Sequence, residues 1–135
     1  MGRHVVVGGG AVGNGVAREL LLAGHEVTQV SRRGGAVPGA RPMAQDAGNG
    51  PALAALTTGA DALYNCVNPP YDKWVTDWPP VAAAMLHAAE QSGAGLVTMG
   101  NLYPYGPVDA PMTEALPDVG TGTKARVRAA MWQAR

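Results

Sequence analysis

The chain has 135 residues, 47% of them apolar, and ten basic side chains balance ten acidic ones to a formal net charge of zero. Such a composition excludes a disordered chain and suits one folded domain with its own core. The charge balance gives no reason to expect nucleic acid or an anionic membrane as partner. No apolar run is long enough to cross a bilayer, and Val5-Val6-Val7 meets glycine too soon for a secretory leader. Cys66 is the single cysteine, which leaves no internal disulfide and fits a reducing, cytoplasmic compartment. His4, His25 and His87 are scattered and share no metal-ligand spacing with it.

In chain order, His4–Val7 is a short β-branched run that stops at Gly8 and predicts a buried strand. From Val12 the apolar positions Val16, Ala17, Leu20 and Leu21 follow helical spacing, and Gly24 is the natural stop. Glu26–Ser31 predicts a second strand, and the glycine-rich stretch from Arg32 to Arg41 a loop. Pro42–Gln45 is a weak third strand, and Pro51 opens a short helix through Leu53 and Leu56 to Thr57. Asp61–Val67 is a fourth strand, and the polar, aromatic stretch Asn68–Trp78 a surface loop. Pro79-Pro80 introduces a helix that ends near Gly93, and Gly95–Met99 is a fifth strand. Asn101–Gly122 is a long loop rich in proline and glycine, of the kind that is usually functional or mobile. A final helix runs from Lys124 to Trp132, with Arg126, Arg128 and Arg135 making the chain's end basic. This alternation predicts one three-layer α/β domain over residues 1–135, with a parallel sheet of about five strands ordered 3-2-1-4-5.

The sharpest motif is Gly8-Gly9-Gly10-Ala11-Val12-Gly13, a G-x-G-x-x-G turn between a strand and a helix. The first glycine permits the tight turn, the second lets a pyrophosphate approach the backbone, and the third lets the helix pack closely on the strand. Free N–H groups at the helix start then hold the phosphates. The second strand ends in Ser31-Arg32-Arg33, where NAD sites usually place a carboxylate for the ribose hydroxyls. Two guanidiniums and a hydroxyl suit a ribose 2′-phosphate, so NADP is expected ahead of NAD.

The succession of the glycine turn, Ser31-Arg32-Arg33, Asp46, Asn65-Cys66-Val67-Asn68 and Asn101-Leu102-Tyr103-Pro104-Tyr105-Gly106 resembles the NAD(P)-dependent epimerase/dehydratases, extended or atypical short-chain dehydrogenase/reductases. The similarity runs over nearly the whole chain. It implies a Rossmann sheet, a nicotinamide cofactor and hydride chemistry on a carbonyl or sugar-nucleotide substrate. It also implies that Asp46 and Ala47 lie beside the adenine, and Val67 and Asn68 along the cofactor's ribose.

That family pairs a general acid/base tyrosine with a lysine four residues later on one helix, the ammonium lowering the phenol's pKa. Lys124 matches the lysine, but Gly120 stands where the tyrosine belongs, and Gly100 stands where a serine often follows the fifth strand. Tyr103 and Tyr105 are the candidates to supply a phenol instead. Cys66 is expected to be a small core residue, and Tyr71, Trp74 and Trp78 either line a pocket or pack their loop down. Members of the family are longer, so the chain is expected to be their N-terminal part or to complete its core as a homodimer. The alternative function is a catalytically silent dinucleotide-sensing or interaction module.

Overall fold

β-Branched residues set the first strand: Arg3–Val7 (β1) has Val5, Val6 and Val7 fully buried, as expected of a central parallel strand. It is followed by α1 (Ala11–Leu22), β2 (Glu26–Ser31), β3 (Arg41–Ala44), α2 (Gly50–Thr57) and β4 (Ala62–Asn65), then α3 (Trp74–Ser92), β5 (Gly95–Thr98) and α4 (Thr123–Gln133). The computed structural model describes residues 1–134; Arg135, expected to extend the basic end of the chain, lies outside them. The described residues form two compact units: Met1–Asn68 with Pro80–Met99, and Pro69–Pro79 with the segment that begins at Gly100.

The first unit holds the five-stranded parallel sheet, ordered β3-β2-β1-β4-β5. This is the expected Rossmann-like arrangement, with helices on both sides. Register puts Val6 beside Gln29 and Tyr64, and His4 beside Val27. On that face Val6 and Val27 pack with Ala17 of α1, and Val16, Leu20 and Leu21 close the layer. Leu53 of α2 and Ala84, Met85 and Ala88 of α3 are also buried. Gly24, at φ +84°, ends α1 where a left-handed residue was expected. Asn49 caps α2 by accepting from Ala52 N–H at 3.1 Å, with Pro51 in the first turn.

One element departs from expectation. Asn68–Trp78 is not a continuous loop: Tyr71–Lys73 is a 3-10 turn, and α3 begins at Trp74, ahead of Pro79-Pro80. The cause is the i, i+4 pair Trp74 and Trp78, both buried on one face of the new turn. The prolines cannot donate to the carbonyls of Val75 and Thr76. All four of these residues are exposed, so water can take the missing donors' place. No helix among the described residues is long and apolar enough to cross a membrane.

At the sheet's N-terminal edge the rings of His4 and His25 meet edge-on at 4.6 Å, and Tyr64 Oη lies 3.3 Å from His4 Nδ1. Burial, and secondly His25, holds the His4 pKa below the ordinary histidine value, while Asp61 opposes the shift. The unfolded chain therefore takes a proton at His4 before the folded one does. Its stability contribution is complete above the ordinary value and is lost as pH falls through the lowered one. Melting temperature is expected to decline between about pH 7.5 and pH 5 less steeply in His4→Asn than in the wild type.

Candidate functional site

Because every strand is parallel, the loops after their C-terminal ends share one edge of the first unit. Gly8–Gly13 follows β1, Ser31 ends β2 with Arg32-Arg33 after it, and Asp46-Ala47 follows β3, while Cys66-Val67-Asn68 follows β4. The chain leaves β1 for β2 on one side and β4 lies on the other, so the glycine turn sits at the topological switch point. That is where ligands of open α/β sheets bind.

The three motif glycines differ in what surrounds them. Gly8 adopts φ +137°, and a side chain there would meet the Cys66 carbonyl oxygen at 2.6 Å. A side chain on Gly13 would run into the backbone carbonyl of Gly8. At Gly10 nothing lies within 4 Å. The first and third positions are thus closed by protein and the second faces open space. Gly10 is also the N-cap of α1, in extended conformation with no side-chain cap, and the first turn of the helix carries no acidic residue. The N–H groups of Ala11, Val12 and Gly13 start the helix and have no intrahelical acceptor. The positive end of the helix dipole points the same way.

The turn is anchored from below. Gly8 N–H donates to Val30 O at 2.8 Å, and Cys66 N–H to Val7 O at 2.9 Å. Gln29, fully buried in β2, donates from Nε2 to Gly8 O at 3.0 Å and to Asn14 Oδ1 at 2.7 Å. Its Oε1 accepts from Val37 N–H at 2.8 Å. Sequence reasoning missed Gln29 and Asn14. The signal was a lone amide between Thr28 and Val30, in a strand otherwise suited to burial.

Ser31 Oγ donates to Gly35 O at 3.3 Å, and Arg32 and Arg33 are exposed. No carboxylate stands at the end of β2, which Ser31 closes. Asp46 is exposed and accepts from Gly48 N–H at 2.8 Å, with Ala47 half-buried beside it. Asn65 is buried and its Oδ1 accepts from Val67 N–H at 3.2 Å, shaping the turn that leads to exposed Asn68. Burial pushes the Cys66 thiol above its ordinary pKa, which suits a packing residue and not an activated thiol.

Lys124, Tyr103 and Tyr105 belong to the second unit. Lys124 is the second residue of α4, whereas Gly120 lies before the helix, so the expected i, i+4 helical pairing does not exist. Gly120 is moreover enclosed. Its N–H donates to Pro104 O at 2.8 Å, and a side chain there would meet Ala125 Cβ and Tyr103 O, each at 2.7 Å. No tyrosine fits at that position. The Lys124 ammonium instead donates to the Tyr71 carbonyl and stands 3.7 Å from the Tyr71 ring centroid. Tyr71 Oη and Tyr103 Oη are 3.2 Å apart, and that hydrogen bond is the main reason the Tyr71 pKa is raised. Trp74 packs against both tyrosine rings, and the Arg128 guanidinium lies 4.6 Å from the Trp78 centroid. Tyr105 closes the 3-10 turn Tyr103–Tyr105, half-buried beside buried Pro104. Tyr71, Trp74 and Trp78 therefore pack with one another and with these two cations.

No protein-family model matches the chain, and no curated protein matches it. Solved structures do. A protein from Burkholderia pseudomallei whose name calls it exported is 25% identical, with TM-score 0.71, over 99% of this chain and 66% of its own. MoeE5, solved with UDP-glucose and NAD, superposes at TM-score 0.83 and 20% identity, over 98% of this chain and 47% of its own. The chain has the fold of the N-terminal Rossmann half of the NAD-dependent epimerase/dehydratases. UDP-glucose 4-epimerase from Bifidobacterium longum, solved with NAD+ and UDP, superposes at TM-score 0.80 and 16% identity, over 98% of this chain and 47% of its own. The chain spans about half the length of most of these structures.

Proposed function

We propose that the first unit binds a nicotinamide dinucleotide, NADP ahead of NAD, as the cofactor-binding half of an epimerase, dehydratase or reductase of the short-chain type. The observation that carries this is the contrast among the motif glycines: Gly8 and Gly13 are closed to any side chain, while Gly10 is open at the start of α1. A bound nicotinamide would supply hydride transfer. The backbone of Gly10 to Gly13 would hold the pyrophosphate. Ser31, Arg32 and Arg33 would take the 2′-phosphate, Asp46 and Ala47 would flank the adenine, and Val67 and Asn68 would follow the ribose. The substrate class is a carbonyl compound or a sugar nucleotide, in keeping with the UDP and UDP-glucose held by structures of this fold. A reducing, cytoplasmic setting accompanies this function.

Binding without turnover is the second function, and a specific observation favours it: Gly120 excludes the acid/base tyrosine, and the Lys124 ammonium is engaged on Tyr71. NADPH oxidation across a panel of carbonyl compounds and nucleotide sugars separates the two. Turnover that drops at least about tenfold in Tyr103→Phe or Tyr105→Phe assigns the general acid to that phenol. Saturable NADPH binding with no turnover on any substrate establishes a binding module.

A further inference from the structure

Gln29 joins two segments that a dinucleotide would touch at different points. Its Nε2 bonds to the carbonyl of Gly8 inside the glycine turn, and to Asn14 in the first turns of α1. Its Oε1 bonds to the N–H of Val37, in the loop that begins with Arg32 and Arg33. The backbone partners fix the amide's orientation, because a carbonyl can only accept and an N–H only donate. Gln29 is fully buried, with both donor hydrogens and one acceptor site used within the protein. Val37 is itself buried, in the cluster formed by Val6, Ala17 and Val27, which seats that end of the loop on the α1 face. A hydrophobic residue at position 29 would fill the space, but would leave Gly8 O without this donor and Val37 N–H without its acceptor.

We propose that Gln29 is a positioning residue that locks the pyrophosphate turn and the Arg32–Ala40 loop into one fixed relation. The pyrophosphate and the ribose phosphate of one cofactor molecule are then recognised together. The inference rests on the dinucleotide function proposed above. A ligand bridging two prefixed segments spends no binding free energy on fixing them, whereas a ligand touching one segment gains little from the lock. Gln29 touches neither phosphate and acts only through the backbone it holds.

The test compares NADPH with two fragments, ADP for the turn and adenosine 2′-phosphate for the arginine loop, in wild type and Gln29→Met. The expected result is a loss of about tenfold or more in NADPH affinity, with each fragment weakened by no more than about threefold. Equal losses for all three ligands, or unchanged NADPH affinity, would overturn the lock. Should Gln29→Met not fold, amide hydrogen exchange on the wild type decides. The Val37 N–H, held by Gln29 Oε1, is expected to be strongly protected already in the ligand-free protein; protection that appears only when NADPH is bound contradicts the proposal. Failure of the wild type to bind NADPH at all would overturn the dinucleotide function and this inference with it. Retained tight binding in Gln29→Met overturns the inference alone.

Discussion

Gly8→Ala is expected to destabilise the protein by about 2–5 kcal/mol, combining a strained backbone with a steric clash. Gly8 sits at φ +137°, which L side chains rarely adopt, and a Cβ would stand 2.6 Å from the Cys66 carbonyl oxygen and 2.9 Å from its carbon. Both are backbone atoms of the segment just after β4, tied to β1 through Cys66 N–H and Val7 O, so they cannot yield cheaply. Gly13→Ala meets the Gly8 carbonyl instead, and its cost of about 1–3 kcal/mol is partly offset by the better helix propensity of alanine. Gly10→Ala is the contrasting variant. With nothing within 4 Å it is expected to leave stability within about 0.5 kcal/mol of wild type while weakening dinucleotide binding. Thermal or urea melts of the three variants check the ranking. A large loss at Gly10 with none at Gly8 would contradict the division of roles.

The double variant Arg32→Ala/Arg33→Ala is expected to lose about 10- to 100-fold in NADPH affinity, while NADH affinity changes by less than about threefold. Both side chains are exposed, so the fold should be indifferent to their removal. On the proposed function the loss comes from charge-assisted bonds to a dianionic phosphate, and the wild-type preference should shrink as salt is raised. Equal losses for the two cofactors would mean that the arginines act on the pyrophosphate or on net charge, not on the 2′-phosphate.

The parallel sheet and its order were legible because β-branched runs such as Val5–Val7 alternate with helical spacing such as Val16, Ala17, Leu20 and Leu21. Element ends agreed to within a residue or two where glycine or proline punctuates them, as at Gly8 after β1 and Gly24 after α1. The start of α3 was not legible, because Pro79-Pro80 is a strong local signal for a helix start. The burial of Trp74 and Trp78, which overrides it, is a tertiary effect. The glycine turn was readable by pattern, but the pattern alone could not say which glycine faces open space. Gln29 was invisible for a similar reason, since an amide's value depends on three partners distant in sequence. The missing tyrosine was readable at Gly120. That no side chain fits there depends on Tyr103 O and Ala125 Cβ, which the sequence does not bring into view.

The edge built around Gly8–Gly13 and Ser31–Arg33 is proposed to hold a phosphorylated dinucleotide. Titrating the wild-type chain with NADPH and with NADH, followed by the fluorescence of the reduced nicotinamide, decides this. The predicted result is saturable binding of both, tighter for NADPH. Tighter binding of NADH would contradict the NADP preference, and no saturable binding of either would contradict the site itself.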